Sequence, residues 1–426
     1  MPVAVLGQRV QGFLVAAVIF AFCATPALGS VAVLIMAIAM LVALPVAVMR
    51  YHRIATKRKA TVWVSLLTYF LVFLGVDFLF YGDIQNTLRA IAPSSPVLAA
   101  AIVVMALDDG QTTISHRRLG EWSSLAVVVT VMSALLIWLT QPEWQVLGRS
   151  VTDITGVNGR LAMFVGNPLP FAGALLVLGF VSLLGWHDRS FASRLFGTVA
   201  AILALVTVVF WAQSRGATLA AIPLIGLTVW YLRPSRDALV KMSLALAMGG
   251  IALMGIAAFG DVLPMAIARL VDGLAVLAGD APEVDGSTWY RLAMYRAGLA
   301  AWWDSPIFGY GISQRFMAAQ PYLPPEFIGQ FSHLHNTFIT HAVAGGVIGL
   351  MLVFALFVTP FATNRAVQFE GAAFNRDRRY LAWLIFLSLV GIGMSGVVLN
   401  HDVSANFLGT LLLAHLITQQ GSAGRA

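Results

Sequence analysis

Charged side chains are scarce in this chain, and their scarcity excludes an ordinary soluble protein. Only 11% of the 426 residues are charged, whereas 59% are hydrophobic and the mean hydropathy is +0.85. A soluble domain carries roughly a quarter charged residues. Apolar runs of about 20 residues, long enough to cross a hydrocarbon core of about 30 Å, recur along the whole length. Because these runs do not alternate as barrel strands do, we predict an all-α polytopic membrane protein.

Cysteine and lysine are nearly absent as well. The single Cys23 lies inside the first apolar run, which excludes an intrachain disulfide. The net charge of +7 would suit a nucleic-acid partner, but in a membrane protein such an excess is typical of positively charged cytoplasmic loops. Membrane lipids, and not nucleic acid, are therefore the expected surroundings.

Twelve membrane spans are predicted, with one large loop among them. The spans lie near 10–28, 30–49, 62–81, 95–107, 122–140, 164–185, 196–212, 216–232, 241–259, 334–358, 381–399 and 401–418. The first span resembles a cleaved signal peptide, but the further spans favour an uncleaved helix. The chain then divides into residues 1–259 with nine spans, a loop domain with short helices at 260–333, and residues 334–426 with three spans and a short tail.

The distribution of basic residues predicts the side on which each loop lies. If both termini are cytoplasmic, the loops of that side, together with both tails and Lys241, hold 18 of the 26 Lys and Arg residues, including all three lysines. The opposite side, which includes residues 260–333, keeps only arginines: Arg89, Arg149, Arg160, Arg215, Arg269, Arg291, Arg296 and Arg315. Arginine offers a planar fork of donors that suits phosphate, so this asymmetry favours an anionic ligand on the outer side.

One of these arginines stands at the outer end of a span. Arg215 lies in "WAQSRGATLA", between the seventh and eighth spans. A snorkelling anchor for the helix end is the structural interpretation. An anion-binding role is the functional one, because Gly216 would allow close approach of the backbone and the following helix N-terminus would add its dipole.

Two further arginines reach the same membrane surface. The stretch "GSTWYRLAMYRAGLAAWWD" reads as a capped helix that ends at Asp304, with Arg291 and Tyr295 four residues apart on one face. Arg160 stands at another outer helix start, just before an Asn-Pro pair that predicts a break in the sixth span. Together with Arg215, these residues would suit a lipid-linked diphosphate.

Polar residues also stand at the mouth of the tenth span, in "HLHNTFITHAVAGGVIGL". His333 and His335 alternate and would chelate zinc if a third ligand stood nearby, but none has a convincing spacing, so no metal is expected. His341 is off their helical face and is predicted to be a packed or hydrogen-bonded residue within the membrane. Burying such groups costs free energy, so the pair at the helix mouth favours a functional site.

The residues that follow the histidines are predicted to shape the tenth helix. Asn336 is expected to cap it or to orient an imidazole. Three glycines, Gly345, Gly346 and Gly349, follow within the same predicted helix. They remove side-chain bulk from its surface, which is typical of close helix packing.

The order His-Asn, nine residues, Gly, two residues, Gly resembles the signature of lipopolysaccharide O-antigen ligases. Their superfamily includes many O-antigen polymerases and bacterial protein O-oligosaccharyltransferases. The similarity extends over residues 155–350, through "SRGA", through "YRLAMYRAGLAAWWDSPIFGYG" and through "GRLAMFVGNPLPFA". The matching positions are Arg160, Asn167, Pro168, Arg215, Arg291, Pro306, Gly309, Gly311, His335, Asn336, Gly346 and Gly349.

The resemblance implies a GT-C-like, metal-independent, inverting glycosyltransferase of the bacterial inner membrane with a periplasmic active site. It would transfer O-antigen from undecaprenyl diphosphate onto the lipid A–core oligosaccharide, without a cofactor. His335 is then expected to be the base, with Arg215 and Arg291 binding the diphosphate. Further substrate contacts are expected from Arg160, His333, Asn336 and Tyr295, and a structural role from Gly346 and Gly349.

Three other functions stay open. The chain would polymerise O-antigen repeats, or transfer an oligosaccharide to protein, with much the same motifs. It would also suit a lipid-linked-sugar transporter without chemistry, although a transporter is expected to carry charges along a central pathway and often shows internal repeats. Only Asp77 and His341 are candidates for ionisable residues inside the membrane.

Overall fold

Helices make up almost all of the structure. It is a computed structural model that describes residues 3–50, 57–82, 84–107, 114–140, 145–146, 149–150, 156–157, 160–232, 286–329, 333–365, 372–396, 398–399 and 401–418. The helices are α1 (Val3–Leu28), α2 (Ser30–Arg50), α3 (Lys57–Tyr81), α4 (Ile84–Ile91), α5 (Ser95–Ala106), α6 (His116–Thr140), α7 (Pro168–Val181), α8 (Phe191–Val206), α9 (Arg215–Leu232), α10 (Gly286–Asp304), α11 (Thr337–Arg365), α12 (Ala372–Ser395) and α13 (Asp402–Thr418).

Two short antiparallel strand pairs also occur among the described residues. β1 (Gln145–Val146) pairs with β2 (Arg149–Ser150), and β3 (Gly156–Val157) pairs with β4 (Arg160–Leu161). Both pairs lie between α6 and α7. A π-helical turn at Thr207–Trp211 extends α8 towards α9.

In the described part of the chain, eight helical segments are long and apolar enough to cross a membrane. They are Gln8–Leu28, Ser30–Met49, Ala60–Tyr81, Ile84–Ala106, His116–Thr140, Phe191–Trp211, Arg215–Leu232 and Thr337–Asn364. The shorter apolar helices α7 and α13 coincide with the sixth and twelfth predicted spans. The prediction of an all-α, multi-pass membrane protein is confirmed, while the ninth predicted span, 241–259, lies outside the described residues.

Prolines stand near the starts of two of the predicted spans, the fourth and the sixth. The fourth span begins at Ile84 and not near residue 95, because Pro93 and Pro96 each stand in the first turn of a helical segment, where a missing N–H is tolerated. The sixth span is interrupted as the Asn-Pro pair predicts. Asn167 accepts a hydrogen bond from Leu169 N at 3.0 Å and caps α7, which begins at Pro168.

The bundle is held together by apolar and small side chains between neighbouring helices. α9 packs on α12, α11 packs on α3 and α12, and α13 packs on α5 and α1. Residues 286–334 have a small core of their own, in which Met294 and Ala301 of α10 meet Leu323 and Phe327. This core abuts the first turns of α11, so α10 lies next to the mouth of that helix.

Buried polar contacts join the helices at the opposite end. The Tyr231 hydroxyl of α9 donates to Asp377 of α12 at 2.5 Å, and His116 of α6 lies 3.8 Å from the same carboxylate. Arg189 donates to the carbonyl oxygens of Ser182, at 2.7 Å, and Leu184. These buried contacts hold one arrangement of the helices at this end.

Candidate active site at a convergence of helix N-termini

A cavity of about 420 Å³ opens at the end of the bundle that carries α10. Four helices begin in its wall: Asn167 precedes α7, Ser214 precedes α9, His335 precedes α11 and His401 precedes α13. One helix, α12, ends there at Ser395. Each helix N-terminus carries partial positive charge and unpaired N–H groups, so the cavity is suited to an anion.

His335 enters this cavity from a strained backbone position. Its φ is +50°, in the left-handed region that few residues other than glycine adopt. Its ring and that of His333 lie 4.0 Å apart between centroids, at 51°, and both residues line the cavity. Strain of this kind persists only where the surroundings hold it, and it is common at active sites.

The surroundings keep the His335 imidazole neutral. Burial, reinforced by the charges of His333 and Arg291, lowers the pKa of His335 to about 3. Burial also lowers the pKa of His333, with Arg315 and His401 adding to the effect. A neutral imidazole accepts a proton, but a base with so low a pKa is weak until negative charge arrives nearby.

Asn336 fixes the turn that carries His335. Its Oδ1 accepts from Ile339 N at 3.0 Å, which caps α11, and its Nδ2 donates to the Met394 carbonyl at 3.0 Å. The next residue, Thr337, donates to the Gly396 carbonyl at 2.9 Å. The predicted capping role of Asn336 is confirmed, and these bonds join the start of α11 to the end of α12.

Arg291 and Tyr295 approach the same turn from α10. The helix ends at Asp304 as predicted. The Tyr295 hydroxyl lies 3.1 Å from the His335 carbonyl oxygen and 3.0 Å from the Met394 carbonyl oxygen. Arg291 is close enough to act electrostatically on the imidazole of His335. The shared face of these two residues therefore meets the histidine turn.

Arg160 and Arg215 both lie at the start of α9. The Arg160 guanidinium donates to the carbonyl oxygens of Ala212 at 3.0 Å and Gln213 at 3.2 Å, so it holds the turn that leads into the helix. Arg215 is the first residue of α9, at the helix N-terminus that the sequence predicted. The space at Gly216 is taken by the Ser395 side chain, so the close approach expected there is to α12 and not to a ligand.

Two glycine motifs interlock beside the cavity. α11 is kinked at Gly346, whose φ of 60° and ψ of −148° are non-helical. The turn at Pro306–Gly311 enters this kink: Tyr310 N donates to Val343 O at 2.8 Å, and Val347 N donates to Pro306 O at 2.8 Å. Gly346 therefore packs against a loop, contrary to the helix packing expected for it. Gly349 does face a helix, since a Cβ there would stand 3.2 Å from Phe73 of α3.

The other titratable candidates lie away from the reaction space. His341 is fully buried, with Nε2 2.8 Å from the Tyr69 hydroxyl and Nδ1 2.6 Å from Thr337 O, so the prediction of a hydrogen-bonded residue is confirmed. The sequence also offers Asp304, Asp285 and Glu326 as acidic rivals for the base, without support from a motif; Asp304 and Glu326 are exposed and absent from the cavity wall, and Asp285 lies outside the described residues. Among the residues that the structure describes, no three His, Cys, Asp or Glu side chains gather as a metal site.

Three cavity residues were not assigned a role from the sequence. The sequence predicts Arg89 and Arg315 only as outer arginines and predicts no role for His401. His401 stands one residue before α13, with Nδ1 3.3 Å from Asp402 Oδ1. The signal for it resembled that for His335, a polar pair at the mouth of an apolar helix.

Comparison with known proteins identifies the family of one part of the chain. A family model described as O-antigen ligase matches residues 199–354. No protein with a curated description matches the chain. The matched segment holds Arg215, Arg291, His335 and both interlocking glycine motifs, whereas Arg160 and His401 lie outside it. Residues 199–354 of this multi-pass membrane protein therefore carry the domain of the O-antigen ligase family.

Proposed function

We propose that the protein is an O-antigen ligase that transfers a glycan from undecaprenyl diphosphate to lipid A–core oligosaccharide, at the periplasmic face of the bacterial inner membrane. The observation that carries the proposal is the cavity in which neutral His335 stands among four helix N-termini. Such a site offers a proton acceptor and a field that favours anions in one place. Glycosyl transfer from a diphosphate needs both.

The reaction is a single displacement at the anomeric carbon. The acceptor hydroxyl gives its proton to an imidazole nitrogen of His335 while its oxygen forms the new bond to carbon. The bond from carbon to the diphosphate oxygen breaks, and its electron pair leaves with undecaprenyl diphosphate. One displacement inverts the anomeric configuration, and the departing charge is stabilised by cationic groups where a metal ion serves in other transferases.

Arg215 and Arg291 are the proposed diphosphate ligands. Arg215 adds its charge to the N-terminus of α9, next to the cavity residue Ser214. Arg291 acts on the histidine turn from α10. Arg160 supports Arg215 through the backbone, and Tyr295 and Asn336 hold the turn of His335, so these three position the reacting groups. His333 contacts substrate beside the base.

The proposed donor also makes His335 a better base. A diphosphate bound near Arg291 offsets one of the positive charges that lower the pKa of the imidazole. The pKa then rises towards the range in which a histidine accepts a proton effectively. Donor binding therefore promotes deprotonation of the acceptor.

A transporter is the less favoured alternative. Alternating access needs both ends of the bundle to open, yet the end opposite the cavity is joined by buried contacts of Tyr231, His116 and Arg189. A polymerase of O-antigen repeats is favoured by the family match to the same degree as a ligase.

Two experiments test the proposal. The purified protein, incubated with an undecaprenyl-diphosphate-linked glycan and lipid A–core, should yield glycosylated lipid A–core without added metal. Deletion in the native host should leave polymer on the undecaprenyl lipid. Core capped with a single repeat would identify a polymerase instead, and intermediates held on the cytoplasmic side would identify a transporter.

A further inference from the structure

Arg89 and Arg315 line the cavity itself, whereas the proposed diphosphate ligands, Arg215 and Arg291, stand beside it. Arg89 is an exposed residue of the short helix α4, and Arg315 follows the turn that interlocks with α11. Arg315 Nη1 donates to the Ile312 carbonyl. Its Nε atom is buried and has no hydrogen-bond partner among the described residues. An unsatisfied buried guanidinium N–H at a cavity wall is costly, and a bound anion would satisfy it.

A single buried carboxylate holds both elements. Asp77 of α3 is fully buried. Its Oδ2 accepts from the Thr87 hydroxyl of α4, and its Oδ1 accepts from both N and Oγ of Ser313 at 2.9 Å. Thr87 stands two residues before Arg89, and Ser313 stands two residues before Arg315.

A purely structural role for Asp77 explains only part of this arrangement. Tying α3 to α4 and to a loop does stabilise a fold, because a buried carboxylate is tolerated when it is hydrogen-bonded. It does not explain why both tied elements bring an arginine to one cavity, or why a buried donor of Arg315 lacks a hydrogen-bond partner. Both features follow if the arginines share a ligand.

We propose that Arg89 and Arg315 form a second anion subsite that binds a phosphate group of a substrate, and that Asp77 is the positioning residue for both arginines. The substrate class rests on the proposed function, whereas the anion chemistry rests on the two guanidinium groups alone. The phosphate comes either from the diphosphate of the donor or from a phosphorylated sugar of the acceptor. A guanidinium pair recognises both by charge-assisted hydrogen bonds.

Direct binding tests the subsite without any need for turnover. The full-length protein in nanodiscs is titrated with inorganic pyrophosphate by calorimetry. Arg89→Gln and Arg315→Gln should each weaken binding roughly tenfold or more, since hydrogen bonds to charged groups of this kind are lost. Arg296→Gln is the matched control, because Arg296 is an exposed arginine of α10 that does not line the cavity. Unchanged affinity in both cavity variants would overturn the subsite.

Kinetics identify the source of the phosphate. If the donor diphosphate is bound here, KM for the lipid-linked donor rises in Arg89→Gln and KM for the acceptor does not. If a phosphorylated acceptor is bound here, KM for the acceptor rises and KM for the donor does not. Both values unchanged would overturn the substrate role. Loss of pyrophosphate binding in a protein that ligates nothing would instead leave the subsite standing and refute the proposed ligase. If Arg315→Gln does not fold, the exposed Arg89 still carries the test.

The positioning role of Asp77 is tested through its two partners. Thr87→Val and Ser313→Ala each remove a hydrogen bond to the carboxylate and keep both arginines. We expect pyrophosphate affinity to fall and KM to rise while kcat is kept, because the arginines are displaced and His335 is not. A lower melting temperature with unchanged affinity and KM would reduce Asp77 to a structural contact and overturn its positioning role.

Discussion

His335 combines a left-handed backbone with a cavity-facing imidazole, and this combination decides how it should be tested. Asparagine tolerates φ near +50° better than alanine, so His335→Asn removes the base and keeps the turn. We expect transfer to fall by roughly 10²–10⁴-fold, which is the usual contribution of a general base. The assay uses purified protein, lipid-linked donor and lipid A–core.

His333→Asn is the matched control, since His333 lines the same cavity and its ring lies 4.0 Å from that of His335. It should retain more activity than His335→Asn. A well-folded His335→Asn protein with near-normal turnover would end the general-base role.

The acid side of the pH profile should separate the free protein from the donor complex. The pKa of His335 is lowered to about 3, so the base stays neutral and kcat/KM should be flat from about pH 5 upwards. On the proposed function, bound diphosphate raises this pKa. As the pH falls, kcat should therefore begin to decline at a higher pH than kcat/KM does. Steady-state rates between pH 4.5 and about 8 measure both limbs. A kcat/KM midpoint near 6.5, the ordinary histidine value, would contradict the argument.

At the scale of single residues, the sequence pointed to the histidine turn more readily than to the arginines that line the cavity. His335 and Asn336 were identifiable because polar groups at the mouth of an apolar helix need a reason, and the capping role of Asn336 follows from local chain chemistry. Arg89, Arg315 and His401 reach the cavity only through tertiary packing. No spacing in the sequence shows that α4, the loop after α10 and the start of α13 share one wall.

At the scale of elements, the kink of α11 is a feature that glycine alone permits. The φ and ψ of Gly346 suit no other residue well, and a Cβ there would collide with Ile307. Gly346→Ala should therefore destabilise the protein by about 1–3 kcal/mol or more and weaken activity, since the interlocked turn leads to Arg315. Thermal unfolding in detergent measures the change.

Gly226→Ala provides the comparison for this prediction. Gly226 lies in α9 with open space around its Cα, so alanine there should leave stability unchanged or raise it by about 0.4–1 kcal/mol. Equal effects of the two substitutions on stability would mean that the kink at residue 346 does not require glycine.

Element boundaries show where local signals are sufficient. The break before α7 was predicted because Asn167-Pro168 combines a cap with a proline suited to the first turn of a helix. The fourth span is predicted to start near residue 95, whereas the helical segment starts at Ile84, because Pro93 and Pro96 both stand in first turns, where proline is tolerated. The pairing of the loop at Pro306 with the kink at Gly346 joins two distant motifs, and neither one alone reveals it.

At the scale of the whole molecule, the predicted orientation can be tested by cysteine labelling. Cys23 is the only cysteine, so Cys23→Ser gives a background without thiols. Ser115→Cys lies in a loop predicted to be cytoplasmic, and Glu326→Cys lies in the predicted periplasmic loop; both residues are exposed. A membrane-impermeant maleimide applied to intact spheroplasts should label Glu326→Cys alone. Labelling of both or of neither position in intact spheroplasts, or of Ser115→Cys alone, would contradict the assignment.

The size of the cavity limits how much of a glycan the protein can sense. A space of about 420 Å³ is at the small end of the range for pockets that hold one small molecule. On the proposed function, it would admit the diphosphate and the sugar next to it, while the remainder of a long chain would stay in the aqueous compartment. Turnover should then be nearly the same for a donor that carries one repeat and for one that carries many. The distribution of chain lengths on the finished glycolipid would be inherited from whatever enzyme built the donor.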